Sequence, residues 1–129
     1  MRARQMYARV GVEADLETLD ESRCATAAVL HALRDRLTPE EARQAAAQLP
    51  RELKTLWESG LPALVRPCRM RRRQFLERVR VDGGLKSLSQ AELATDAVFA
   101  ALKDQISEGE ADDIMAQLPK DLKRQWVRA

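Results

Sequence analysis

Apolar positions recur along the chain at helical spacing. Between residues 21 and 37 they fall at Ala25, Ala28, Val29, Ala32, Leu33 and Leu37. Between residues 90 and 106 they fall at Ala94, Ala97, Val98, Ala101, Leu102 and Ile106. Both are i, i+3, i+4, i+7 series, which set one stripe of a helix against a core. The spacing predicts long helices over about 21–36 and 90–105. A shorter helix precedes each, over about 3–10 and 70–81, the second with Phe75, Leu76 and Val79 on one face. Asp82-Gly83-Gly84 then makes a turn, because glycine takes positive φ at no steric cost.

Cap signals mark the remaining boundaries. Thr38-Pro39-Glu40-Glu41 offers a capping Thr, a Pro at the first helical position and a Glu three residues on. Ser107-Glu108-Gly109-Glu110 reads as a capping box. Asp20, and Ser89 with Glu92, read as N-caps of the long helices. Pro50 and Pro119 stop the third helices after Leu49 and Leu118. Each proline is then expected to open a fourth, short helix. There Leu53 and Trp57, or Leu122 and Trp126, lie one turn apart as an apolar peg.

These elements occur twice. Residues 6–60 align with 75–129 without a gap, at an offset of 69, and 21 of the 55 positions are identical. Ala47-Gln48-Leu49-Pro50 returns as Ala116-Gln117-Leu118-Pro119, and both tryptophans of the chain occupy matching places. A repeat on this scale means two copies of one supersecondary unit. The expected fold is all-α: about eight helices in two tandem repeats, 1–60 and 75–129, joined by a connector over 61–74. One unit of this size buries too little apolar surface to be comfortable alone. The second and third helices are therefore expected to pack across a pseudo-twofold axis into one core.

Composition fits that picture. In 129 residues, 45% are apolar, 33% charged and only 4% aromatic, so the core is built mostly of Ala, Leu and Val. No apolar run reaches transmembrane length, and no secretory signal is visible. Two cysteines suit free thiols in a reducing cytoplasm. The net charge of +2 is unevenly spread. Both repeats are slightly acidic, and the excess positive charge lies in the connector at Arg66, Arg69, Arg71, Arg72 and Arg73.

Phe75-Leu76-Glu77-Arg78-Val79, Glu92-Leu93-Ala94-Thr95-Asp96-Ala97-Val98, Ser107-Glu108-Gly109-Glu110-Ala111 and the Ala-Gln-Leu-Pro turn resemble the bacterial family DUF2267. The first copy carries the same pattern in Ala25-Thr26-Ala27-Ala28-Val29-Leu30, Thr38-Pro39-Glu40-Glu41-Ala42 and Gln48-Leu49-Pro50. The resemblance implies a small, all-helical, often duplicated bacterial protein, and it implies no chemistry. The Arg-rich connector departs from it.

Candidate chemistry is sparse. His31 is the only histidine, its counterpart is Ala100, and Cys24 lies two turns away, so a boundary imidazole is expected and no metal site. Cys24 aligns with Leu93 and reads as a small buried hydrophobe. Cys68, among Arg66, Arg69 and Arg71, is either an incidental thiol or an activated one. The acidic pairs Glu40/Glu41, Glu108/Glu110 and Asp112/Asp113 are explained by capping and the helix dipole. No phosphate loop or nucleophile–base set is present, so neither catalysis nor a cofactor is expected. Trp57 and Trp126 are core pegs or, alternatively, contacts of a homodimer or partner. The leading expectation is a non-enzymatic protein-interaction module. The alternative is binding of nucleic acid or an acidic partner through Arg66–Arg73, weakened by acidic repeats and by the lack of an interleaved aromatic. A third is a small-molecule cleft between the units.

Overall fold

The computed structural model describes residues 3–60 and 67–129. They form eight α-helices and no strand: α1 (Ala3–Glu13), α2 (Leu19–Arg36), α3 (Pro39–Ala47), α4 (Arg51–Glu58), α5 (Arg72–Asp82), α6 (Leu88–Lys103), α7 (Glu108–Ala116) and α8 (Lys120–Arg128). None is long and apolar enough to cross a membrane.

Local chemistry sets the boundaries, with two corrections to the expected caps. The long helices begin earlier than Asp20 and Ser89, which lie inside their first turns. Thr18 caps α2: its hydroxyl accepts from Glu21 N at 3.1 Å, and the Glu21 carboxylate accepts from Thr18 N at 3.1 Å. Ser87 caps α6 in the same way, accepting from Gln90 N at 3.1 Å. Pro50 and Pro119 also stand just outside their helices rather than inside them. Their ψ values of 153° and 157° are extended, so each is a cap residue whose carbonyl accepts the first helical bond, from Lys54 N and Lys123 N at 2.8 Å.

The first helices end on left-handed residues. Gly84 has φ +66°, and Asp15, at the matching place in the first copy, has φ +56°. Both ends close with the same bond, Leu85 N to Arg80 O at 2.9 Å and Leu16 N to Gly11 O at 2.8 Å. This wrapped end satisfies a carbonyl that the helix leaves open.

Helix packing crosses between the two halves. α1 lies on α2 and on α6, while α5 lies on α6 and on α2. α2 meets α6, α3 meets α7, and the short α4 and α8 close each end. The buried apolar side chains of both halves form one cluster. In the second half Phe99 meets Phe75 at a tilt and Trp126 edge to face, with ring centroids 5.9 and 5.0 Å apart. In the first half the matching places hold Met6, Leu30 and Trp57, all buried. Ion pairs tie the halves at matching positions too: Arg78 to Asp35 at 2.6 Å and Arg9 to Asp104 at 3.9 Å.

Cys24 corrects a third expectation. It is exposed, as is its counterpart Leu93. Both precede the inward Ala25 or Ala94 by one residue, which turns them by about 100° toward solvent.

Candidate functional site

The connector is used partly from within. Arg72, the first residue of α5, is half-buried. Its guanidinium meets Glu92 at 2.8 Å and donates to Gln125 Oε1 at 3.0 Å, while its backbone N–H donates to Asp121 at 3.2 Å. These acids offset the unfavourable placement of a cation at a helix N-terminus. Arg69, Arg71 and Arg73 are exposed. Arg66 lies outside the described residues. Cys68 is half-buried against the core, and its backbone N–H donates to Asp35 O at 2.6 Å.

Trp57 and Trp126 are 1% and 2% exposed, so no indole face is open to a partner. Instead their backbones are clamped. Arg34 Nη1 donates to Trp57 O at 2.9 Å, and at the matching place Lys103 Nζ donates to Trp126 O at 2.6 Å. His31 is a boundary imidazole, its Nε2 2.7 Å from Leu56 O. Burial lowers its pKa, partly opposed by that bond. Gly60 covers the ring with φ +80°, where an added Cβ would lie 3.0 Å from His31 Cε1.

The acidic residues Glu41 and Glu110 are not ordinary cap residues. Thr38 and Ser107 do cap α3 and α7, accepting from Glu41 N at 3.2 Å and Glu110 N at 3.1 Å. The return half of each box comes from the other repeat. Gln117 Oε1 accepts from Thr38 N at 2.9 Å, and Gln48 Oε1 accepts from Ser107 N at 2.6 Å. Displaced from that role, Glu41 and Glu110 turn inward and face each other, 8% and 5% exposed. Carboxylate oxygens of Glu41, Glu110 and the exposed Asp113 fall within 4.8 Å of one another. Burial, then the hydrogen bond and charge of Glu41, then Asp113, push the Glu110 carboxyl up to about 8. A protonated Glu110 facing Glu41 is the simplest arrangement for two acids this close. The signal in the sequence was the identity of Glu41 with Glu110 and of Gln48 with Gln117 across the copies.

A groove runs between α1, the start of α2, and α4. Its inner part is a cleft of about 510 Å³ lined by Tyr7, Arg23, Arg51, Glu52, Thr55, Leu56 and Ser59. A second cleft, of about 530 Å³, shares Tyr7, Arg51 and Glu52 and adds Arg4, Leu19 and Pro50. The matching junction of α5, α6 and α8 holds the Arg72 cluster, joined by Arg128, which meets Glu92 at 3.3 Å and Asp96 at 3.4 Å. At the offset of 69, Ala3 stands for Arg72, Arg23 for Glu92, Ala27 for Asp96, Leu56 for Gln125 and Ser59 for Arg128. The two copies therefore differ in chemistry at this junction. In the second copy an arginine fills it and pairs with an acid; in the first it is open and carries arginine. The groove is written in the sequence as a difference between the copies, not as an identity.

No curated protein matches the chain. The family model described as "Uncharacterized conserved protein (DUF2267)" matches residues 3–127, nearly the whole length. The chain belongs to the DUF2267 family.

Proposed function

We propose that the protein is a non-enzymatic helical interaction module of the bacterial cytoplasm, built from two units related by a pseudo-twofold axis. The two-unit reading is supported by contacts that recur with the halves exchanged: Arg78–Asp35 with Arg9–Asp104, and Gln117–Thr38 with Gln48–Ser107. The free thiols of Cys24 and Cys68 suit a reducing compartment. The non-enzymatic reading is supported by where the acids lie: Glu41 and Glu110 are more than nine-tenths buried between two helices.

One observation carries the interaction reading. The first unit leaves open, and lines with Arg23 and Arg51, the junction that the second unit fills with Arg72. Unit two needs that arginine for its own packing; unit one presents the space outward, to a segment of another protein. Capture from a bacterial lysate with the tagged wild-type chain and with A3R/R23E/L56Q, which copies the unit-two cluster into unit one, tests this. A protein held by the wild type and lost by the triple variant is expected. Equal retention by both, or none by the wild type, contradicts the reading.

A second reading rests on the exposed Arg69, Arg71 and Arg73, which suit phosphates or an acidic surface. A salt-dependent shift of single-stranded or duplex DNA, abolished by R69Q/R71Q/R73Q with Arg72 kept native, would favour it. No binding at low salt removes it.

A further inference from the structure

We infer that the α1–α2–α4 groove receives an acidic segment of a partner protein, one that brings a carboxylate to Arg23 and an apolar neighbour to Leu19. The inference rests on the interaction reading above and adds the chemistry of the occupant.

The second unit supplies the template. There the junction is satisfied by opposite charges from one chain, the Arg72 guanidinium against the Glu92 carboxylate at 2.8 Å. In the first unit the charge at the Glu92 position is reversed to Arg23, and the side chain that would meet it is reduced to Ala3. The missing complement is therefore an anion, and it comes from outside the described residues. The basic character extends beyond one residue: Arg4, Arg23 and Arg51 border the two clefts against a single acid, Glu52. All three arginines are exposed, so their hydration is given up only in part when a carboxylate arrives.

The rest of the lining says what accompanies the carboxylate. The floor is apolar where unit two is polar, since Leu56 replaces Gln125, which accepts from Arg72. Tyr7 and Leu56 lie almost fully covered at the bottom, and Leu19 is 51% exposed at the rim. A small inorganic anion would leave that apolar wall wet. A glutamate with its methylenes on Leu56 and Tyr7, next to a leucine on Leu19, uses both kinds of surface.

Fluorescence anisotropy tests this on the full chain with three labelled helix-forming peptides. One is built of Glu, Leu and Ala. In the others Lys or Gln replaces Glu. The Glu peptide is expected to bind the wild type, with affinity that falls as salt rises. A3R/R23E/L56Q should bind it at least about tenfold more weakly while melting like the wild type. Should that variant fail to fold, R23Q is read instead, with the same direction expected. No binding of the Glu peptide at low salt, or equal binding of the Glu and Lys peptides, overturns the inference. If the Gln or Lys peptide alone binds, and A3R/R23E/L56Q loses it, the acidic partner is wrong but the groove stands. If the wild type and the variants treat all three alike, the groove reading falls as well. Concentration-dependent self-association of the wild type that the triple variant abolishes would make the occupant a second copy, and would also overturn the inference.

Discussion

Gly84 and Gly109 show how one residue type can have opposite consequences. Neither would meet another atom within 4 Å if it gained a Cβ. Sterics with neighbours therefore decide nothing, and the backbone decides alone. Gly84 has φ +66°, a region that costs an L-residue roughly 1 kcal/mol. Gly109 lies in the first turn of α7, where alanine is the better helix former by about 0.5–1 kcal/mol. Chemical denaturation should show G84A less stable than the wild type and G109A more stable, by about those amounts. Glu110 makes the second prediction at this scale. Its native pKa of about 8 lies above the ordinary 4.5, so the folded state holds a proton that the unfolded state has lost. Its contribution to stability is therefore full below about 4.5, declines as pH rises, and is gone above about 8. The slope between those limits approaches about 1.4 kcal/mol per pH unit. The groups facing it are Glu41 from α3 and Asp113 from its own helix, with Gln117 donating to Glu41 at 3.5 Å. E110Q keeps the shape and a donor toward Glu41. Its stability should be flat over that window and exceed the wild type above about pH 8. An unchanged slope would show that Glu110 is not the titrating group.

At the scale of elements, the crossed caps join α3 to α7. Gln48 and Gln117 each satisfy a helix-start N–H of the other repeat, bonds worth about 1 kcal/mol apiece. Q48A and Q117A should each lower stability by about that amount. A smaller effect would mean that water replaces the bond. The helices themselves were legible in the residues: the alanine and valine stripe of α2 and α6 and the Thr38-Pro39 start stand where local spacing puts them, while α3 and α7 stop at Ala47 and Ala116, two residues short of the expected Leu49 and Leu118. The partners of Gln48 and Gln117 were not, because a capping box is a pattern of four adjacent residues and these acceptors lie 59 and 79 residues away. The same limit hid the Glu41–Glu110 pair, which reads locally as two ordinary cap residues. The starts at Thr18 and Ser87 were missed, because Asp20 and Ser89 two residues on also suit a cap. What settled α2 was the Glu21 carboxylate returning to Thr18 N. The groove was legible only as a difference, in that Arg23 stands for Glu92 and Ala3 for Arg72.

On the scale of the whole molecule, the core does not divide at the connector. α1 leans on α6 and α5 leans on α2, so half of each first helix's partners belong to the other repeat. Met6, Val10, Phe75 and Val79 are all fully covered. Separation of the halves would expose the faces of α2 and α6 together with those of α3 and α7. A unit of this size buries too little apolar surface to hold such faces comfortably in water. A second copy of the same half supplies a remedy, since its own uncovered faces can take the place of the missing ones. The most direct measurement is made on residues 70–129, which keep α5 whole, by sedimentation equilibrium with calorimetry across a range of concentrations. A shared core predicts a chain that is unfolded when dilute and folds only as it self-associates, while the full chain melts in one cooperative step. A monomeric 70–129 with its own cooperative, concentration-independent melt would contradict it.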